Sequence, residues 1–350
     1  MTVAFDPGAT PPATLFLSLP ASDICNYRCR HCHIWRHELP PDAMSRQRRI
    51  EIIEEFSRLN RAGSVVLPGG EVTLDWEELF AIAAACRGAG LPCMIMTNGS
   101  RIDTPEVARD LVESGVTFAA VSLDSHLAEI HNMTRGLPEA FAETTRAIRL
   151  LAEARDRWAP ESFRLCVTGV LFKENLPLFP DFVAFCRELG TQHVDLQVLS
   201  RTFSNSHPTR DAFFEKHFWN TVEEKGEAKR LFSEFLTTLD PERGFLVKGP
   251  QDLDWILRYI DDPDFETATP VCGSHHQNLL VDSRGDVALC FYTRRILERP
   301  FVGNARERSL VELWSGAKAA QDRAVMDLCT LNCGALNCHR QKTDQETSAG

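Results

Sequence analysis

From residue 15 to residue 197, short runs of apolar and β-branched residues alternate with longer stretches in which apolar residues recur three and four positions apart. The short runs fit strands and the longer ones amphipathic helices. Strands are expected at 15–19, 64–67, 92–96, 118–123, 163–172 and 193–198. Ile50, Ile53, Phe56 and Leu59 mark one core-facing helix stripe, and Phe182, Phe185 and Leu189 mark another. Six βα units in a row, with crossovers of one hand, curl into a barrel or part of one, and chemistry on that scaffold belongs at the C-terminal ends of the strands. The strand pattern stops near residue 200, and 210–239 and 252–260 read as helices. A hairpin is expected at 279–289, turning through Ser283, Arg284 and Gly285. The fold class is therefore α/β. It comprises a partial (β/α)6 TIM-type barrel at 1–200, a helical linking region at 201–270, a small β-hairpin and helix domain at 271–340 and a polar tail at 341–350.

Composition adds exclusions. A chain with 43% hydrophobic and 25% charged residues is an ordinary globular protein. Its net charge of -11 argues against nucleic acid or an anionic membrane surface as partner, since both repel an acidic surface. No apolar run approaches the roughly 20 residues of a membrane helix. The apolar stretch 13–19 is short and follows no Lys or Arg, so it reads as a first strand and not an export signal. A cytoplasmic location is the resulting expectation.

The twelve cysteines change the picture more. In a large chain without an export signal, clustered cysteines point to metal or redox chemistry and not to a disulfide framework. One group is Cys25, Cys29 and Cys32, and a second is Cys272, Cys290, Cys329, Cys333 and Cys338. Cys86, Cys93, Cys166 and Cys186 stand singly in apolar segments and read as buried core residues. The first group places three thiolates on one short loop just past the first strand. A four-iron cluster has four metal corners, so three protein ligands leave one iron open to bind something else. A closed zinc site is the alternative, with His31, His33 or His37 as a fourth ligand.

The spacing C-x3-C-x2-C directly after a first strand resembles the defining motif of the radical S-adenosylmethionine (SAM) superfamily. That resemblance implies a four-iron, four-sulfur cluster whose open iron chelates the amino and carboxylate groups of SAM. One electron then splits SAM into methionine and a 5'-deoxyadenosyl radical that abstracts hydrogen from unactivated carbon. Further segments sit where the family pattern puts them, each after an expected strand. Pro68-Gly69-Gly70-Glu71 resembles the GGE motif, where glycine backbone lets the SAM amino group approach, and Thr97-Asn98-Gly99 resembles the TNG element. Ser122-Leu123-Asp124 resembles the S-x-D strand end that faces the SAM carboxylate or ribose, and His131 to Gly136 resembles an H-D-x-x-R-G segment. His31 takes the position often held by an aromatic residue near adenine. The resemblance thus implies His31, Gly69, Gly70, Glu71, Asn98, Ser122 and Asp124 as residues at the SAM site.

Cys272, Gly285-x4-Cys290, Val302-Gly303-Asn304, the segment Ser309 to Trp314 and Cys329-x3-Cys333-x4-Cys338 resemble the C-terminal extension called SPASM or, when shorter, twitch. Such extensions carry auxiliary four-iron clusters. The full pattern has more cysteines than the five present here, which implies one auxiliary cluster and a spare thiol among Cys329, Cys333 and Cys338, with a second, undersupplied cluster as the alternative. The spare thiol is either a buried cysteine or a hydrogen-atom donor. Zinc is the other reading of this group.

Residues able to act on a substrate are Arg135, Gln197, His275, His276, Asp282 and Tyr292, taken to lie at or near the barrel mouth. Sulfatase-maturing relatives carry Asp directly after the cysteine that ends the hairpin. Phe291 takes that place here, which argues against that activity. Only 24 residues precede Cys25, too few for the extra N-terminal recognition domain of many peptide-modifying relatives. The leading expectation is a small natural product, a sugar or aminocyclitol, undergoing dehydrogenation or epimerisation. Crosslinking or epimerisation of a ribosomally made peptide is the runner-up. A flavodoxin-like or ferredoxin-like protein is the implied electron donor, and a non-catalytic zinc-stabilised binding module is the contrasting class.

Overall fold

The computed structural model describes residues 10–199, 212–238, 245–248 and 250–336. Six parallel strands lie side by side in chain order: β1 (Thr14–Leu17), β2 (Ser64–Leu67), β3 (Cys93–Thr97), β4 (Val116–Ser122), β5 (Arg164–Leu171) and β6 (His193–Val198). Helices α1 (Arg46–Leu59), α2 (Trp76–Gly88), α3 (Pro105–Glu113), α4 (Ala128–Arg135), α5 (Ala140–Trp158) and α6 (Phe179–Glu188) occupy the connections. Their starts are written in the sequence. Ser45 caps α1 by accepting the Arg48 amide at 3.2 Å, and Asp75 caps α2 by accepting the Glu78 amide at 3.0 Å.

Burial alternates along the strands, as a period of two requires. Leu15, Leu17, Val65, Leu67, Ile95 and Val121 are fully buried in the core shared with the helices. At about 1.5–3 kcal/mol for each large aliphatic side chain removed from water, this layer dominates the stability of the barrel. The opposite, inner face carries Phe16, Met94, Met96, Phe118, Ser122 and Gln197, all half-buried or exposed. The sheet does not close on itself, so the barrel is partial.

The hairpin forms at the expected place and joins the main sheet. Instead of standing apart, β7 (Asn278–Val281), β8 (Asp286–Ala288) and β9 (Gly303–Asn304) continue the sheet, giving the order β6-β5-β4-β3-β2-β1-β7-β8-β9. β7 runs parallel to β1 in a register from Thr14 opposite Asn278 to Leu17 opposite Val281. Without it, β1 would be an open edge, and unpaired strand edges are a liability. The far edge is also covered: the Val194 amide donates to the Phe245 carbonyl at 2.7 Å, and the Val247 amide donates to the Val194 carbonyl at 3.0 Å. Helices α7 (Ala212–His217), α8 (Val222–Thr238) and α9 (Pro250–Asp261) fill the linking region. Among the described residues no helix is long and apolar enough to cross a membrane. The tail 341–350 lies outside the described residues.

The parallel pairing of β1 with β7 defines two ends. Loops that leave β1 to β6 at their C-terminal ends lie at the mouth, and segments that lead into β1 and β7 lie at the opposite end, the foot.

Candidate functional site

Leaving β1, the chain makes a 3-10 turn at Pro20–Asp23 and enters the loop carrying Cys25, Cys29 and Cys32. Two neighbours grip this loop by backbone alone. On one side the Gly70 amide donates to the Ser22 carbonyl at 2.6 Å and the Glu71 amide to the Ile24 carbonyl at 3.0 Å. A Cβ on Gly70 would fall 1.8 Å from the Ile24 oxygen, so only glycine permits the approach. On the other side the C-terminal carbonyls of α4 receive the loop, Arg135 from the Arg28 amide at 3.2 Å and Thr134 from the Arg30 amide at 2.8 Å. Gly136 ends α4 at φ +73°, with its absent Cβ 2.2 Å from the Arg28 oxygen. Trp35 closes the loop from within, its indole N–H donating to the carbonyls of Cys32 at 2.8 Å and Cys29 at 3.3 Å.

Cys25, Cys29 and Cys32 are all free thiols. Burial pushes the Cys25 thiol up to about 12 and the Cys29 thiol up to about 11, and raises Cys32. The Tyr27 backbone opposes this at Cys25 and Arg135 opposes it at Cys29, where Nη1 lies 4.0 Å from Sγ; Asn98 Nδ2 lies 3.8 Å from Cys25 Sγ. Buried thiols that resist ionisation by themselves, yet face an amide and a guanidinium, suit a metal group that takes the place of their protons. The set is not gathered for a single ion. Among the described residues, the one trio of metal-capable atoms all within 4.8 Å is His275, His276 and Asp327. A zinc ion held by thiolates at about 2.3 Å would need sulfurs roughly 3.8 Å apart. The three thiols fit a larger, multi-iron group.

Two residues expected at the SAM site are fully buried and held by internal hydrogen bonds. Glu71 is fully buried: Oε1 accepts from the Thr73 amide at 3.1 Å, Thr73 Oγ1 at 2.6 Å and Thr97 Oγ1 at 2.7 Å, and Oε2 accepts from the Asn98 amide at 2.7 Å. Its carboxylate braces the ends of β2 and β3, and burial raises its pKa. Asp124 is likewise fully buried and faces inward. Its Oδ1 accepts from Arg135 Nη2 at 2.7 Å and the Val170 amide at 3.1 Å, and its Oδ2 from Arg135 Nε at 2.8 Å and Thr134 Oγ1 at 2.5 Å. Burial alone would raise this carboxyl, but the charge of the Arg135 guanidinium, with the Thr134 hydroxyl, holds it well below the usual carboxylate range. Both carboxylates are engaged by partners inside the protein. Sequence reasoning missed the partners Thr73 and Thr134, and Asn175, whose Nδ2 donates to the Asp124 carbonyl at 2.8 Å; only Thr73 lies beside its motif acid in sequence.

Other expected residues remain at the mouth. Gly69 and Gly70 flank the loop, Asn98 touches it and also donates to Asn26 Oδ1 at 3.0 Å, and Ser122 is half-buried on the inner face. His31 packs near Phe213, ring centroids 6.1 Å apart. His131 is fully buried, its Nδ1 accepting the Asp124 amide at 3.1 Å, and burial lowers its pKa to about 3, so it is neutral. Gln197 donates to Asp195 on the inner face. Asp282 closes the hairpin turn by accepting the Arg284 and Asp286 amides, both at 2.9 Å.

The placement of His275 and His276 at the mouth is corrected. They lie in the short helix Ser274–Gln277, directly before β7, and the Ala13 amide donates to the Gln277 carbonyl at 2.7 Å. Because β7 is parallel to β1, this is the foot. There both imidazoles reach one oxygen of Asp327, at 2.8 Å and 2.7 Å, and latch the helix Ala317–Met326 to the start of β7. Tyr292 comes after Cys290 past the end of β8, also away from the mouth, and its amide donates to the Cys290 sulfur at 3.3 Å. Cys272 accepts from the Ser274 amide at 3.4 Å and is raised by burial and, to a lesser degree, by the nearby Cys329. The pairing of Thr267 with Thr330, amide to carbonyl at 2.9 Å, brings these segments together. Cys333 begins the last described helix, and Cys338 lies outside the described residues.

A family model described as the radical SAM superfamily matches residues 19–185, and one described as an iron-sulfur cluster-binding domain, SPASM, matches residues 272–338. The chain belongs to the radical SAM superfamily. This radical SAM enzyme works with SAM, a four-iron, four-sulfur cluster and the auxiliary cluster chemistry of a C-terminal SPASM domain. A zinc-stabilised binding module is not what these matches describe. It is similar to an AdoMet-dependent heme synthase of Methanosarcina barkeri (strain Fusaro / DSM 804), 26% identical over 84% of this chain and 80% of that protein. The mycofactocin maturase MftC of Mycolicibacterium smegmatis is 27% identical over 82% of this chain and 66% of that protein. An AdoMet-dependent heme synthase of Oleidesulfovibrio alaskensis is 28% identical over 51% of this chain, and the match spans only 44% of that protein. Among solved structures, Streptococcus suis SuiB bound to S-adenosylmethionine is similar in fold, with a TM-score of 0.66 and 16% identity, covering 92% of this chain and 72% of that one. Native anSMEcpe with bound AdoMet has a TM-score of 0.60 and 19% identity, covering 88% of this chain and 82% of that one.

Proposed function

We propose that Cys25, Cys29 and Cys32 hold the SAM-cleaving cluster and that the backbone of Gly69 and Gly70, with Asn98, Ser122 and His31, borders the SAM site. The observation that carries this reading is the loop itself: three free thiols under the donors Asn98 and Arg135, beside a glycine backbone that admits no side chain. Bound there, a four-iron cluster supplies the electron that cleaves SAM. The chain's own residues exclude water, orient the thiolates and leave the inner face of the sheet for a substrate. Cys272, Cys290, Cys329 and Cys333, with Cys338, are the ligand supply for one auxiliary cluster and a spare thiol. The closeness of Cys272 and Cys329 supports both as ligands.

For the substrate we favour a peptide, modified on a side chain or at a backbone carbon. The inner face is rich in Phe16, Met94, Met96 and Phe118, and Phe291 meets Phe16 edge-on at 4.9 Å. Such a wall suits apolar or aromatic side chains better than a polyol. The maturase relative that aligns with 82% of this chain supports the same choice. A small polar natural product is the second reading, favoured by Asp195 and Gln197 on that face. A low-potential flavodoxin-like or ferredoxin-like protein would supply electrons to either reaction.

Anaerobically reconstituted protein should be brown and hold about eight irons per chain, four for each cluster. With dithionite and SAM it should release 5'-deoxyadenosine, and colourless protein without that product would end the proposal. Deuterium transfer from labelled peptides or polyols into 5'-deoxyadenosine then decides between substrates.

A further inference from the structure

Arg135 was expected to act on substrate, but its side chain is 7% exposed and points away from the inner face toward the cysteine loop. A guanidinium is a rigid planar fork that keeps its charge in any protein environment. Two of its three nitrogens, Nε and Nη2, grip both oxygens of Asp124 at 2.8 Å and 2.7 Å. The third, Nη1, is left 4.0 Å from the sulfur of Cys29. Asp124 cannot turn, because Thr134 Oγ1 and the Val170 amide hold it, and Asn175 Nδ2 ties the Asp124 and Val170 carbonyls together at 2.8 Å and 2.7 Å. The fork is therefore fixed to the mouth ends of β4 and β5. The same residue accepts the Arg28 amide through its carbonyl, so the loop and the cation move as one body.

We infer that Arg135 is a positioning residue that raises the reduction potential at Cys29, its guanidinium clamped by Asp124 so that one arm faces the ligand sulfur. The inference rests on the reading of Cys25, Cys29 and Cys32 as cluster ligands. Reduction adds one electron from a flavodoxin-class or ferredoxin-class donor, with no bond formed or broken and no proton moved. The added negative charge spreads onto the thiolate sulfurs, and donors or cations beside those sulfurs favour the reduced form. Buried from water, the charge of Arg135 is poorly screened. Asp124 offsets part of it, so the two members of one ion pair act on the potential with opposite signs. A merely structural clamp would lack this property, since loss of either partner would then disturb the loop in the same way.

The test compares wild type with Arg135→Gln, Arg135→Lys and Asp124→Asn after anaerobic reconstitution. Iron and sulfide are quantified, and the EPR signal that SAM perturbs is followed in a redox titration. Arg135→Gln should lower the reduced-to-oxidised ratio at a fixed potential about tenfold, a shift of about 59 mV to more negative values for one electron. Arg135→Lys should recover part of that shift, and Asp124→Asn should move the potential the other way. An unshifted Arg135→Gln with full iron, or shifts of the same sign in Arg135→Gln and Asp124→Asn, would overturn the inference. Should the variants fail to retain iron, wild-type protein containing arginine labelled with 15N only in the guanidinium decides, because the backbone nitrogens of Arg28 and Arg30 flank Cys29 and must stay unlabelled. A nitrogen coupling to the reduced cluster in pulsed EPR supports the inference, and its absence defeats it. A wild type with no SAM-responsive signal defeats the reading of the loop, whereas a SAM-responsive signal with unmoved potentials defeats only the role of Arg135.

Discussion

The two cysteine groups are held by different means. At the mouth the loop is gripped by backbone from Gly70 on one side and from Thr134 and Arg135 on the other, with a buried ion pair behind it. At the foot Cys272 and Cys329 are brought together by short segments, the pairing of Glu266 with Leu331 and a latch in which His276 and Asp327 are each about half exposed. Buried charge networks in a low-dielectric interior are rigid when every member is satisfied, and exposed ion pairs contribute little. The mouth is thus the more tightly networked of the two ends.

The sharpest way to break this comparison is to remove one thiol from each end. Cys29→Ala should lower iron from about eight to about four per chain and bring 5'-deoxyadenosine to the level of a control without enzyme. Cys272→Ala should lose iron to a similar extent and still cleave SAM. Equal loss of cleavage in both variants would show the two ends to be one site.

Acid should weaken the mouth. His131 is protonated near 6.5 in the unfolded chain but resists protonation down to about 3 when folded. Between those values the unfolded state binds more protons, so stability falls as the pH falls through this window, by up to roughly 5 kcal/mol. Urea denaturation of the apoprotein across that range should show the loss, and His131→Gln should flatten it. Burial lowers His275 at the foot as well, and its contribution has the same sign.

Smaller effects refine the contrast. Gly70→Ala forces a methyl group against the Ile24 carbonyl and should cost about 3 kcal/mol in the same denaturation assay, as overpacking against backbone does. His276→Ala removes an exposed partner of Asp327 and should change stability by about 0.5 kcal/mol or less.

Much of the barrel was legible because each element declares itself locally. The strands at Ser64–Leu67 and His193–Val198 have the expected limits, and the apolar stripe of Ile53 and Phe56 is the buried face of α1. The three-cysteine loop and its glycines were legible as a motif for the same reason. The junction of β1 with β7 was not, since no local pattern encodes a parallel pairing between opposite ends of a chain. The reversal of His275 and His276 to the foot comes from that one pairing. The burial of Asp124 and Glu71 was not legible, because a strand-end acid has no sequence mark for direction. Their orientation is set by Arg135, Thr97 and Asn98, which meet them only once the strands are side by side.

The parallel seam between β1 and β7 also limits how this protein can be taken apart. Cutting the chain after the helical region would not release a detachable cassette. It would open a row of unsatisfied amides and carbonyls in the middle of a nine-stranded sheet, beside the strand that launches the first cysteine loop. The halves of this molecule must therefore mature together, and chimeras that exchange the C-terminal portion must carry a matching first strand with it.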